Sequence, residues 1–168
     1  MLIERHADET TRREQVITMT QRMNYNAASP AGMKAFGAVY GYVAQSGLPA
    51  RLIDLVYLRI SQINGCAYCI DMHSRDLLKA GVAAEHLFLV QVWREAGHHF
   101  DEKERAALAW AETVTRVAET GVPDEAYRAA AAVFGEKELS DLTIAIGLMN
   151  AYNRMAISFR ATPAAFRG

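Results

Sequence analysis

The chain has 168 residues, with 18 Lys and Arg against 19 Asp and Glu, and 51% of its residues are hydrophobic. This length suits one compact domain over residues 1–168 with a real core. The near balance of charge, without a basic stripe or a charge block, argues against nucleic acid and membrane surfaces as partners. So large an apolar fraction in a short chain predicts self-association, which light scattering at micromolar concentration tests.

Neither the N-terminus nor the cysteine content points to secretion. Residues 1–15 are charged and lack the apolar core of a signal peptide. No uncharged run is long enough to span a bilayer. The two cysteines lie three positions apart, and one close pair fits a cytoplasmic thiol pair better than the disulfide framework of a secreted domain. The sequence thus predicts a cytoplasmic protein.

The spacing of apolar residues is helical almost throughout, and no sustained alternation typical of strands occurs. It predicts an all-α fold of six to seven helices after a charged lead-in over residues 1–28. Ser29-Pro30 opens the first helix, and Asp101 with Glu104 forms a capping box. The helices are expected at 30–45, 50–63, 67–79, 84–94, 102–119, 124–134 and 139–159.

The last predicted helix is apolar on most of its faces, which indicates a central helix or one shared with another subunit. Asn150, Asn153 and Arg154 interrupt its apolar surface and exclude a membrane span. If these side chains are buried, they need hydrogen-bond partners. They either order the functional site or hold a contact between subunits, and their spacing does not choose between the two.

The clearest chemical pattern is a Cys-x-x-Cys followed four residues later by His, placed after an Asn64-Gly65 turn. On a helix over 67–79, Cys66, Cys69 and His73 share one face. Cys66 falls at the helix N-terminus, where free N–H groups and the helix dipole favour a thiolate. A thiolate attacks peroxides and disulfides, and His73 can exchange protons with the Cys69 sulfur near neutral pH.

Two other interpretations of the cysteine pair have to be weighed. Free cysteines also pack as small hydrophobic residues, and a zinc site can use Cys66 and Cys69 with His73 and a carboxylate. A structural zinc usually needs four Cys or His ligands from two elements. The chain has no second Cys-x-x-Cys and no His-x-x-x-His, so redox chemistry is favoured. His86 is expected either at the surface or with its hydrogen bonds satisfied, and His98-His99 as loop residues.

A carboxylate precedes the cysteine pair on the preceding helix. Asp54 lies twelve residues before Cys66. If the two helices pack side by side across the Asn64-Gly65 turn, Asp54 can reach the face that carries the cysteines and His73. Taken alone, an Asp on a helix is more often a solvated surface residue.

The segment from Leu58 to His73 resembles the AhpD-like alkylhydroperoxidase group of the carboxymuconolactone decarboxylase family. The similarity continues at residues 93–95, 104–112 and 150–154 and so covers most of the chain from about residue 30. It implies an all-helical AhpD-like fold that assembles into trimers or hexamers. It also implies a thiol-dependent peroxidase in antioxidant defence, with no cofactor besides the cysteine pair and with a dithiol or protein donor such as one of the lipoyl type.

The family pattern is an acidic residue, eleven spacers and then Cys-x-x-Cys-x-x-x-His. The resemblance implies that peroxide oxidises Cys69 to a sulfenic acid and that Cys66 resolves it as a disulfide. His73 and Asp54, which stands where the family usually has Glu, would relay protons. Family members that act as decarboxylases usually lack the cysteine pair.

The helix dipole alone favours Cys66 as the first nucleophile, so the residue chemistry and the family pattern differ on the order of attack.

Two other functions stay open from the sequence. One is a dithiol reductase or redox sensor with slow peroxide turnover, and the other is a metal-binding module that contains stoichiometric zinc.

Overall fold

The computed structural model describes residues 20–166, so residues 1–19 of the predicted lead-in lie outside the described part of the chain. Within residues 20–166 the structure is helical and contains no strand. This confirms the all-α prediction. None of the helices in this range is long and apolar enough to cross a membrane.

Nine α-helices follow one another in the described chain. They are α1 (Tyr25–Ala28), α2 (Pro30–Ala44), α3 (Ala50–Asn64), α4 (Ala67–Lys79), α5 (Ala84–Leu89), α6 (Glu102–Thr115), α7 (Val117–Thr120), α8 (Asp124–Ala131) and α9 (Glu136–Phe159). Three short 3₁₀ helices occupy Val90–Val92, Gly97–His99 and Ala164–Phe166. Seven of the nine correspond to the predicted helices, and α1 and α7 are additional single turns.

Three predicted helices end at least three residues earlier than expected, and one of them, predicted over 124–134, stops at Ala131. The helix predicted over 84–94 stops at Leu89 and tightens into a 3₁₀ turn, which brings Val90 and Trp93, three residues apart and both buried, to one side. The helix predicted over 102–119 is interrupted at Arg116. There the Thr120 hydroxyl donates to the carbonyl of Thr113 (2.9 Å) and so occupies an acceptor that a continuous helix would use.

Helix α3 lies at the centre of the molecule and packs against α4, α6 and α9. One side of α3 contributes Val56 and Ile60 to a core shared with α6, α8 and α9. Another side contributes Leu55 and Leu58 to a second core with α4 and α5. Helix α9 packs on α2, α3 and α6, so its mostly apolar surface reflects a central position in the fold.

A buried ionic cluster ties α3 to α6 and to the segment before α6. Glu112 is 6% exposed and accepts hydrogen bonds from Arg59 Nε (2.7 Å), Trp93 Nε1 (3.1 Å) and Arg94. Burial pushes the pKa of Glu112 upward, but these three donors outweigh it and hold the pKa below its ordinary value. The cluster fixes the end of α3 that leads towards the cysteine pair.

Candidate active site

The turn between α3 and α4 sets the position of the cysteine pair. Gly65 has a φ of 70°, in the left-handed region that glycine adopts without strain. The Gly65 N–H donates to the Gln62 carbonyl (3.2 Å), and the Cys66 N–H donates to the Ser61 carbonyl (2.9 Å). This pattern closes α3 as a Schellman motif. Cys66 is therefore the residue that caps the N-terminus of α4.

A hydrogen-bond network from α9 holds this turn. The Asn64 side-chain amide donates to Asn150 Oδ1 (3.0 Å) and to Asn153 Oδ1 (2.9 Å). Asn153 donates in turn to Ser61 Oγ (3.1 Å), and both Asn153 and Ser61 are fully buried. Of the two roles open to Asn150 and Asn153, the structure gives them an ordering role within the chain. Arg154 is exposed and donates to the Asn150 carbonyl (2.8 Å).

The two cysteine sulfurs are in disulfide contact, with Cα atoms 5.4 Å apart. The Cys69 N–H also donates to the Cys66 sulfur (3.3 Å), so that this sulfur caps the first turn of α4. Both residues are buried and pack against Ala156 of α9 and against Tyr68. The backbone of the turn therefore accommodates closure of the pair to a disulfide.

His73 lies one turn after Cys69 and is completely buried. Its Nδ1 atom is 3.7 Å from Asp54 Oδ1. This distance allows an ion pair with a protonated imidazole but is too long for a hydrogen bond. Neither ring nitrogen of His73 has a hydrogen-bond partner within residues 20–166. The Asp54 side chain is 23% exposed, so it joins the buried imidazole to solvent.

A tyrosine that the sequence analysis did not single out lies beside His73. The Tyr57 ring is 5.2 Å from the imidazole, and its buried hydroxyl has no hydrogen-bond partner within the described chain. Burial, followed by the nearby Tyr40 and Asp54, raises the pKa of Tyr57, so the phenol stays protonated. Tyr57 follows Asp54 by three residues on α3, and residues three apart share a helix face. This spacing is the sequence feature that could have identified Tyr57 as a neighbour of the site.

A cavity of about 290 Å³ reaches the Cys69 side of the pair. Cys69 lines this cavity and Cys66 does not, so Cys69 is the cysteine that a bound molecule meets. The residues that line it are Tyr25, Asn26, Met33, Tyr40, Tyr68, Cys69, Met72, Asp76, Met149, Tyr152 and Ala156. A second cavity of about 100 Å³ is lined by Asp54, Tyr57 and again Tyr40, among others.

The described residues around Cys66 and Cys69 do not form a metal-binding cluster. Between residues 20 and 166, no three His, Cys, Asp or Glu side chains gather where they could hold a metal ion. His98 and His99 lie in the 3₁₀ turn before α6, where their rings stack at 5.1 Å. The His86 ring lies edge-on to the His99 ring, with centroids 5.4 Å apart. His86 is half-buried, and its Nδ1 atom has no hydrogen-bond partner within the described chain, so it matches neither the surface nor the satisfied position expected.

A sequence profile described as the carboxymuconolactone decarboxylase family matches residues 30–113, from α2 into α6. The uncharacterized protein YdfG of Bacillus subtilis is 35% identical to the chain over 140 residues, which are 83% of this chain and 95% of YdfG. The chain therefore belongs to the carboxymuconolactone decarboxylase family, in its AhpD-like group.

Two further relatives carry the AhpD name. A protein of unknown function from Agrobacterium tumefaciens, whose suggested identity is the antioxidant defence protein AhpD, has a crystal structure with a TM-score of 0.82 and 44% identity. The match covers 86% of this chain and 98% of that one. The alkyl hydroperoxide reductase AhpD of Methylocella silvestris is 42% identical over 45 residues, 27% of this chain and 25% of that protein.

The fold alone does not fix the reaction. The debrominase Bmp8 shares the fold with a TM-score of 0.71 at 19% identity, covering 83% of this chain and 74% of that one. Because one fold can carry several chemistries, the function has to be argued from the residues of the site.

Proposed function

We propose that the protein reduces organic hydroperoxides with electrons from a dithiol, through the Cys66–Cys69 pair. The observation that carries this proposal is the position of Cys69. It forms part of the wall of a cavity large enough for an organic molecule, and Cys66 lies directly behind it within disulfide contact. One sulfur thus meets the substrate while the other is placed to complete the reaction.

The reaction starts with the Cys69 thiolate, which attacks the terminal oxygen of the hydroperoxide. The O–O bond breaks, Cys69 becomes a sulfenic acid, and the leaving alkoxide takes a proton to become an alcohol. The Cys66 thiol then attacks the Cys69 sulfur, a disulfide forms and water leaves. A dithiol donor restores both thiols by exchange and is itself oxidised to a disulfide.

His73 and Asp54 supply the proton transfers in this scheme. His73 lies one turn after Cys69 and can take the thiol proton and return it to the leaving oxygen. Asp54, 3.7 Å from Nδ1, lies within ion-pairing distance of the imidazolium that forms between these two transfers. Because Asp54 is partly exposed, it also connects the buried site to solvent protons.

The donor, assembly and location follow from the same proposal. A disulfide that must be reduced in each cycle suits the reducing cytoplasm. A dithiol of the lipoyl type, free or attached to a protein, is the proposed donor, and the assembly is a homo-oligomer, a trimer or hexamer. The supports for these statements are the family relationship and the chemistry of the pair.

A second function, a dithiol reductase or redox sensor, is favoured by one observation. Both cysteines are almost completely buried, at 1% and 2% exposed. Such burial limits the access of oxidants and suits a pair that changes state slowly. This candidate predicts reversible disulfide cycling with little peroxide turnover.

The deciding experiment measures hydroperoxide consumption with dihydrolipoamide as donor. We expect turnover by the wild type and none by Cys69→Ser. Cys66→Ser should react once and accumulate a sulfenic acid at Cys69, which dimedone labels and mass spectrometry locates. A sulfenic acid that forms in Cys69→Ser instead would reverse the assigned order of attack. Disulfide cycling without turnover in the wild type would support the sensor.

A further inference from the structure

The charged side chains at the wall of the cavity at Cys69 bear on which substrates can enter it. Among residues 20–166, four tyrosines and three methionines form most of its wall, and the only ionic side chain that lines it is the carboxylate of Asp76. No lysine or arginine of this described range lines the cavity. A carboxylate that entered this cavity would lose water without gaining an ionic partner from the wall, which is unfavourable.

The two cations of α4 closest to Asp76 in the sequence do not change this pattern. Arg75 binds Asp71 (2.8 Å) and Lys79 lies 3.4 Å from Asp76. Both line a neighbouring depression of the surface, not the cavity at Cys69. Arg75 is therefore paired with Asp71, while the exposed Lys79 offsets part of the charge of Asp76 from outside the cavity.

Burial and neighbouring groups raise the pKa values of three tyrosines in the cavity wall. Burial raises the pKa of Tyr25 and of Tyr152, and their other contributions come from neighbouring tyrosines. Burial also raises the pKa of Tyr40, and the negative charges of Asp54 and Asp76 add to the increase. The phenols of Tyr25, Tyr40 and Tyr152 thus stay neutral, and the field of two carboxylates reaches the cavity wall at Tyr40.

We propose that this cavity selects uncharged organic hydroperoxides and disfavours those that carry a carboxylate. This inference rests on the proposed peroxidase function and specifies its substrate class. The apolar and aromatic wall binds the organic part of the substrate. Asp76, together with the absence of a cation from the wall that residues 20–166 form, makes the entry of an anion unfavourable.

The test compares two substrates of nearly equal size that differ in charge. They are cumene hydroperoxide with a para-carboxamide and cumene hydroperoxide with a para-carboxylate. We expect kcat/KM of the wild type to be about tenfold lower for the carboxylate, since an unfavourable charge interaction with Asp76 acts at short range in addition to desolvation. Equal kcat/KM values for the two compounds would overturn the proposal.

Two variants identify the source of the discrimination. Asp76→Asn removes the carboxylate from the wall and releases Lys79, so the ratio between the two substrates should fall to about threefold or less. Because the effect is expressed as a ratio between the two substrates, any change in turnover that is common to both cancels. Asp124→Asn, an exposed carboxylate in the first turn of α8, is the matched control and should keep the wild-type ratio. An unchanged ratio in Asp76→Asn would exclude Asp76 as the determinant.

A binding measurement separates this inference from the peroxidase function. The alcohols that correspond to the two hydroperoxides bind without reacting, and ¹³C-methyl signals of Met33, Met72 and Met149 report their entry into the cavity. If the neutral alcohol shifts these signals and the anionic one does not, the charge selection stands even where no peroxide is consumed. If both bind equally while peroxide is reduced, the peroxidase function stands and the selection does not.

Discussion

Asp54 stands one methylene short of the position that a glutamate would reach. Its Oδ1 atom is 3.7 Å from His73 Nδ1, while a hydrogen bond between these groups requires about 3 Å. The buried imidazole has no other partner among residues 20–166. In the proposed proton relay, the length of the Asp54 side chain therefore controls how strongly Asp54 and His73 are coupled.

Lengthening this side chain should strengthen the relay. We expect Asp54→Glu to raise kcat/KM for hydroperoxide by several fold, up to about tenfold, because the carboxylate can then hydrogen-bond the imidazole directly. Asp54→Asn should lower it by about tenfold or more. Steady-state assays with a fixed dithiol concentration measure both effects. Asp124→Glu serves as the control for a longer acidic side chain elsewhere, and wild-type activity in Asp54→Asn would rule out the relay.

At the scale of secondary structure, the α3–α4 turn and its support from α9 determine where the sulfurs lie. The Schellman turn at Gly65 places Cys66 at the N-terminus of α4. The amides of Asn64, Asn150 and Asn153 then fix the turn against α9. Backbone geometry and a buried polar network thus act on the same few residues.

Removing the centre of this network should destabilise the protein and impair the site together. Asn153→Leu leaves the side chains of Asn64 and Ser61 short of a partner, which should lower the free energy of unfolding by about 2 kcal/mol. Urea unfolding measures this loss, and the rate of disulfide formation after peroxide addition measures the displacement of Cys66. Ser140→Ala, an exposed change on the same helix, should leave both unchanged. A stable Asn153→Leu with normal kinetics would contradict the ordering role.

At the scale of the whole molecule, the Glu112 cluster links α3 and α6 to the segment before α6. Arg59 is mostly buried, with 13% of its side chain exposed, so loss of its partner would leave a charge without compensation. The pKa of Glu112 is lower in the folded protein than its ordinary value of 4.5. The cluster therefore stabilises the fold above the ordinary pKa, and this stabilisation is lost as pH falls through the lower, folded pKa.

Acid titration of stability should reveal this contribution. At pH 7 we expect Glu112→Gln to lower the free energy of unfolding by about 3 kcal/mol, at the low end of the cost of breaking a buried ion pair, since Arg94 is largely exposed. The difference from wild type should shrink as pH falls below about 4.5, where the unfolded carboxyl binds its proton. Urea unfolding at several pH values measures it, with the exposed Glu125→Gln as control. A difference independent of pH would show that packing alone is involved.

Apolar side chains on the surface of the molecule bear on its self-association. Val39 and Tyr42 of α2 and Phe88 of α5 are among the large apolar side chains left exposed. Self-association, expected from the apolar composition, stays a prediction.

The sequence by itself determined the helical fold, the capping of α6 and the common face of Cys66, Cys69 and His73. These features depend on periodicity and on residues close together in the chain, which local physical chemistry controls. Only the tertiary structure decided that Cys69 and not Cys66 lines the cavity, that Tyr57 lies beside His73, and that Asn153 supports the turn. Asn153 and Asn64 are 89 residues apart, and no local pattern encodes a contact that only the packing of α3 against α9 creates.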